Sequence, residues 1–292
     1  MVSLIKSEKE TLKNIRNIVV VSDLHSGCRM GLCHPGPVKL DDGGPYWPSS
    51  FQKKVWSFWE EFWGEFVPKV TRKEPFAVVI NGDIIDGVHH QETTPISHNI
   101  GDQSLIAETI LAPIRDSCNA RMYIIRGTSA HTGPSAVEEE RIARVLGTIP
   151  DREGHYARWE LWKYVGKEGE LLHFLHHVAT TSSMLYESTA PWIEMVDLWS
   201  ECGRWHEISP SIIIRSHRHR YVEVGSFGAK GRIRAFTTPG WQGKTPLVWR
   251  KRGARISQPQ FGGVVIRKAG PQDGGELYFR PFVKILSRPK PE

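Results

Sequence analysis

A chain of 292 residues with 39% hydrophobic, 24% charged and 10% aromatic residues holds enough apolar material for a sizeable core and falls outside the disordered class. No apolar run approaches the roughly 18 residues of a membrane span. The opening Met1–Asn14 stretch lacks the apolar centre of a signal peptide, and four cysteines are too few for a disulfide framework, so a reduced, cytoplasmic setting is expected.

In chain order, Asn17 to Asp23 (NIVVVSD) reads as a buried strand running into a polar loop. Phe51, Val55, Phe58, Trp59, Phe62 and Phe66 recur at three- and four-residue steps and predict an amphipathic helix that stops near Pro68. Phe76 to Ile80 (FAVVI) is a second buried strand, Gln103 to Cys118 a helix, Arg121 to Arg126 a third strand, and Ser135 to Leu146 a helix. That β-α-β-α-β-α order predicts a parallel sheet with helical crossovers. Beyond it, strands are predicted at His155 to Trp162, Leu171 to His176, Ser211 to Arg215, Tyr221 to Gly225, Arg232 to Thr237, Gly262 to Lys268 and Glu276 to Ile285. Tyr186 to Gly203 is the one clear helix among them. The expectation is a single domain over residues 1–292, α/β in class, with two facing sheets and helices outside. The strands between residues 221 and 285 are expected to complete the second sheet.

Functional side chains gather after the strands, where open α/β sheets place their sites. Asp23-Leu24-His25 follows the first strand, Gly82-Asp83-Ile84-Ile85-Asp86-Gly87 the second, and Gly127-Thr128-Ser129-Ala130-His131 the third. His176-His177 follows LLHFL, and His217-Arg218-His219 follows SIIIR. Each match alone is weak, but five at successive strand ends are hard to obtain by chance. Alternate residues share a face, so Asp23 with His25, and His217 with His219, can point together. Carboxylate oxygen with imidazole nitrogen suits Mn²⁺, Fe²⁺ or Zn²⁺, and a shared carboxylate can hold two ions about 3.5–4 Å apart.

As a set, these motifs resemble the calcineurin-like metallophosphoesterase superfamily, over the two-thirds of the chain around residues 23–219. Asp23–Leu32 and the Trp-rich first helix are similar to phage or prophage members. The resemblance implies a four-layer α/β/β/α sandwich of two mixed sheets. It implies that Asp23, His25 and His219 bind one divalent ion, that His176 and His217 bind a second, and that Asp83 bridges them, with Asp86 as outer support. A hydroxide between the ions would attack phosphorus. In the family's third motif, Gly-Asn-His, the Asn is a ligand and the His serves the leaving group. Here the Asn is missing and the His comes two residues later, so Thr128 or a water would take the Asn place and His131 would protonate the leaving oxygen.

The net charge of +6 is unevenly placed, because Glu201 to Gln260 holds 12 Lys/Arg against three acids. Such a stretch fits a polyanion such as nucleic acid, or is a solvated basic surface. It favours phosphodiester hydrolysis, with Arg215, Arg218 and Arg220 as phosphate-steering residues. A phosphomonoesterase or protein phosphatase, and a degenerate scaffold of the same fold, are the alternatives. Gly240 to Thr245 resembles the end of a phosphate-binding loop, but its spacing is wrong and Pro246 follows at once. Cys28 and Cys33 beside His34 lack the second pair that a structural zinc site needs.

Overall fold

Residues 15–287, apart from 90, 167–169, 182, 229–230, 251–255 and 271–274, are described by a computed structural model. The expected basic residues Lys230, Lys251, Arg252 and Arg255, as well as His90, lie outside the described residues.

Strand β1 (Asn17–Val21) leads through a short ribbon, β2 (Val38–Lys39) with β3 (Pro45–Tyr46), into helix α1 (Ser50–Glu61). A π-helical turn (Phe62–Phe66) joins it to α2 (Val67–Thr71). Then come β4 (Phe76–Asn81), α3 (Ile100–Ser117), β5 (Met122–Ile125), α4 (Ser129–Thr132), α5 (Val137–Leu146) and β6 (Ala157–Arg158). The second half holds β7 (Glu160–Val165), β8 (Glu170–Leu175), α6 (Thr189–Arg204), β9 (Ile212–Arg215), β10 (Val222–Gly228) and β11 (Gly231–Thr237). It closes with α7 (Pro246–Arg250), β12 (Phe261–Lys268) and β13 (Leu277–Lys284).

One sheet has the order β13-β12-β1-β4-β5-β6, the other β10-β11-β9-β8-β7. Strands β1, β4, β5 and β6 run parallel in the first, and β8, β9 and β11 in the second. Both sheets are mixed, because β12 and β13 pair antiparallel in one and β7 and β10 in the other. Alternation along β1 explains the layering. Ile18 and Val20 face the second sheet, packing with Leu172, Phe174, Ile212, Ile214 and Phe236. Val19 and Val21 face the helices, packing with Phe58, Trp59, Phe62, Ile106 and Ile110. Met195 of α6 covers Ile213 and Ala235 on the outer side of the second sheet. The result is the expected four-layer α/β/β/α sandwich.

Two expectations need correction. Strands β12 and β13 do not complete the second sheet. They extend the first, with β12 between β1 and β13. Seven of the eight β12 residues are buried, a two-sided burial that only an interior position between two covered faces provides. The aromatic helix also runs past Pro68 to Thr71. In the π turn the Val67 N–H reaches back five residues to the Phe62 carbonyl, and Pro68 then falls in the first turn of α2, where its missing N–H costs little.

The aromatic helix grips the loop that follows β11. Trp241 is fully buried, edge-on to Trp59 with ring centres 4.8 Å apart, and its backbone N–H donates to the Asp23 carbonyl at 2.9 Å. Trp241→Ala is therefore expected to cost about 3–5 kcal/mol of stability, read from urea unfolding. A loss under about 1 kcal/mol would show that this packing is dispensable.

Candidate metal centre

The parallel strands of both sheets end at one rim. Asp23 and His25 follow β1, Asp83 and Asp86 follow β4, and Thr128 and His131 follow β5. His176 follows β8, while His217 and His219 follow β9. Asp23, His25, Asp83, His217 and His219 all take left-handed backbone angles, with φ between 45° and 68°. Such a conformation costs a non-glycine residue about 1–3 kcal/mol, and strain of this kind concentrates at functional sites. Backbone bonds tie the loops together: Asp23 N–H donates to the Gly82 carbonyl at 3.0 Å and Ser216 N–H to the His176 carbonyl at 2.9 Å. Two glycines permit the approach. A Cβ on Gly82 would sit 2.3 Å from His176 Nδ1, and one on Gly127 would sit 2.2 Å from Asp83 Oδ1.

The first cluster joins Asp23, His25 and His219. His219 Nε2 lies 3.2 Å from Asp23 Oδ1 and 3.1 Å from His25 Nε2. On its far side, His25 Nδ1 meets Asp86 Oδ1 at 3.2 Å, and Gln242 donates to that same oxygen at 3.0 Å. Burial works against the Asp86 charge, but His25 and His89 outweigh it and hold the carboxyl well below its usual range. Asp86 thus turns the His25 ring so that Nε2 faces the cluster. Asp23 is fixed by a relay of side chains. The Ser22 hydroxyl donates to Asp23 Oδ2, Thr238 Oγ1 lies 2.6 Å from Ser22 Oγ and 2.7 Å from Ser216 Oγ, and Asn81 donates to Ser216 at 2.6 Å.

The second cluster joins Asp83, His176 and His217. His176 Nδ1 donates to the Asn81 carbonyl at 2.6 Å, which turns Nε2 to within 3.1 Å of Asp83 Oδ2. His217 Nδ1 lies 3.9 Å from that oxygen. In each triad the potential ligand atoms lie within 4.8 Å of one another, and Asp83 forms a further such group with His25 and His131.

These residues could hold metal cations. Asp23 Oδ1 and His217 Nδ1 are buried without a hydrogen-bond partner. Burial would lower the basicity of His176, yet Asp83 and Asp23 hold it up at about 10. Burial would likewise raise Asp23, but His219 and His176 bring it down to about 2. The site is arranged around negative charge that calls for a positive partner, and its oxygen and nitrogen donors suit borderline divalent metals.

The other expected residues have definite partners. Thr128 gives both its backbone N–H (2.7 Å) and its hydroxyl (3.0 Å) to Asp83 Oδ1, so it braces the carboxylate. His131 Nδ1 lies 2.6 Å from the Asp86 carbonyl, and its Nε2 is 4.0 Å from Asp83 Oδ2. Burial, helped by His25, pushes His131 down to about 4, so at neutral pH it presents a lone pair. Arg218 donates to the Glu187 carbonyl at 2.6 Å, and Arg220 forks onto the Glu187 carboxylate. Arg215 is set apart from the rim, buried against Glu194 and His173 beside α6. Cys28 and Cys33 are buried free thiols, each pushed up to about 12 by burial, and among the described residues they join no cluster of potential ligands.

Sequence reasoning missed Glu139 of α5. It accepts the Gly127 N–H at 2.6 Å and the Ile84 N–H at 3.2 Å, clamping the loops after β5 and β4 from behind. Burial and the Asp83 charge push it up to about 7. No motif marks it, because its partners are backbone groups of distant loops. Gln242 and the Ser22–Thr238–Ser216 relay were missed because their partners are side chains far away in sequence. A cleft of about 1090 Å³ opens over His25, Asp83, Thr128, His131, His217 and His219.

No protein-family model matches the chain, and no curated protein matches it. A Thermotoga maritima protein solved by NMR is 12% identical, with 93% of this chain and all of that one covered at a TM-score of 0.35. The 5'-nucleotidase of Candida albicans is 11% identical, with 87% of this chain covered at a TM-score of 0.38. This chain spans about half of that one, 47%. Neither likeness bears on the chemistry of the site. Among the described residues, no helix is long and apolar enough to cross a membrane.

Because metal-free His176 keeps its proton up to about pH 10, a cation binding beside Asp83 must displace that proton. Apparent metal affinity should rise about tenfold per pH unit from pH 7 to 9. Calorimetry in buffers of different ionisation enthalpy would show the released proton. A flat pH dependence would show that metal-free His176 holds no proton in this range.

Proposed function

We propose that this protein hydrolyses phosphate esters with two divalent cations, as in the calcineurin-like metallophosphoesterases. The observation that carries the reading is the pair of carboxylate–imidazole clusters, Asp23–His25–His219 and Asp83–His176–His217, linked through the further group of Asp83 with His25 and His131 and opening on one cleft. Two cations held there would supply Lewis acidity toward phosphate and lower the pKa of a bound water.

The chain's own residues do the rest. Asp23, His25 and His219 form one donor set. His176 and His217 form the other with Asp83, which also groups with His25 of the first and would be the shared carboxylate. Asp86 and the Asn81 carbonyl fix the two imidazoles so that each offers Nε2. Thr128 orients the shared carboxylate through two donated hydrogen bonds. For His131, the geometry favours a role other than proton donor. With Nδ1 held by the Asp86 carbonyl and Nε2 facing Asp83, it supplies a further nitrogen ligand in place of the missing Asn. His131→Ala is then expected to weaken metal binding at least about tenfold, with His131→Asn recovering part of the loss. Unchanged metal affinity with a reduced kcat would instead return His131 to the leaving-group role.

A polyanionic diester such as nucleic acid is favoured because many phosphates would meet basic side chains along the cleft. Arg218, Arg220 and Lys244 line the cleft, whereas Glu187 is its only lining acid besides Asp83 among the described residues. The test is Mn²⁺-dependent hydrolysis of bis-p-nitrophenyl phosphate beside p-nitrophenyl phosphate. The diester should be preferred, and Asp83→Asn should abolish turnover. Preference for the monoester would make the protein a phosphomonoesterase. No turnover of either ester with Mn²⁺, Fe²⁺ or Zn²⁺ would contradict the enzyme and leave a binding scaffold.

A further inference from the structure

The cleft is larger than a phosphate group needs. At about 1090 Å³ it lies at the upper end of small-ligand sites, which run to about 1,000 Å³. Its walls away from the metal clusters therefore have to meet the rest of the substrate.

One wall carries a broad aromatic plane. Trp159 is the single residue between β6, in the first sheet, and β7, in the second, so the junction of the two sheets fixes its backbone. It lines the cleft with 57% of its surface exposed, which is high for an indole that no core packing requires. The Arg126 guanidinium lies 5.0 Å from the ring centre, and the Arg126 Nε donates to the Ala157 carbonyl at 2.8 Å. A tethered cation thus covers one face of the indole, while more than half of the residue remains open for stacking on the other. Exposed polar side chains, His177 and Thr180, share the cleft with apolar ones such as Met184, Leu247 and Val248. A flat aromatic plane in a cleft of mixed lining suits a flat heterocycle that also forms hydrogen bonds at its edge.

We infer that the substrate carries a nucleobase, stacked on Trp159 while its phosphate ester lies over Asp83. The ligand class is a nucleotide or a single-stranded nucleic-acid diester. This rests on the proposed phosphoesterase site for the position of the phosphate, but the stacking can be read without turnover.

The test compares AMP with ribose 5-phosphate, which keeps the sugar and phosphate and lacks the base. Affinities are measured by calorimetry with Mn²⁺ present, in the wild-type protein, Trp159→Ala and Trp159→Phe. Stacking of one base is worth about a 5- to 100-fold gain in affinity. The wild-type protein should prefer AMP by that factor, Trp159→Ala should bind the two ligands alike, and Trp159→Phe should keep most of the preference. Ribose 5-phosphate affinity should be the same in all three proteins, which separates a lost platform from a damaged fold. Equal affinity for both ligands in the wild-type protein, or a preference that survives in Trp159→Ala, would overturn the inference. If AMP is preferred through Trp159 and yet no ester is hydrolysed, the catalytic reading fails while the nucleotide site stands.

Discussion

The Asp83 carboxylate organises this molecule. It is buried, and a buried charge without partners is costly by several kcal/mol. Its partners arrive from three other strand ends: the backbone and hydroxyl of Thr128 after β5, His176 after β8 and His217 after β9. Both sheets must therefore close on one another before the charge is satisfied. Gly127 leaves the space that Asp83 occupies, and Glu139 grips the two loops that carry Gly127 and Ile84. A carboxylate in this setting couples the sandwich to the chemistry at its rim.

The rest of the fold serves the same rim from farther away. The aromatic helix packs on Trp241, and the Trp241 backbone holds the Asp23 carbonyl. The hydroxyl relay from Asn81 through Ser216 and Thr238 to Ser22 then fixes the Asp23 side chain. Arg218 and Arg220, which flank His219, hold the segment ending at Glu187 against the rim. Their charges line the cleft and their hydrogen bonds shape its wall, so one pair of residues serves both electrostatics and architecture.

Much of this was legible in the sequence for physical reasons. Buried parallel strands read as short β-branched runs, and the residues just after such a run lie at the carboxyl edge of a sheet. That reasoning reached Asp23, His25, Asp83, Asp86, Thr128, His131, His176, His217 and His219, and the structure gathers all nine at one rim. Other features have no local signature. Nothing in the β12 pattern says which of two sheets it joins, since either interior would bury both of its faces. The left-handed turns at Asp23, His25, Asp83, His217 and His219 are imposed by tertiary contacts on residues that do not favour them. The partner of Arg220 is 33 positions away, so its ion pair with Glu187 is invisible to spacing. The start of α3 at Ile100 was readable from the Asn99 cap, whose side chain accepts the Gly101 N–H. The apolar stripe alone places that start three residues too late.

The central claim is that these strand ends hold two cations sharing Asp83. Anomalous diffraction from crystals grown with Mn²⁺ tests it most directly. The account predicts two peaks about 3.5–4 Å apart, one among Asp23, His25 and His219, the other between His176 and His217, with Asp83 touching both. No peak at these residues, or a single ion that leaves Asp83 out of its coordination, would contradict it.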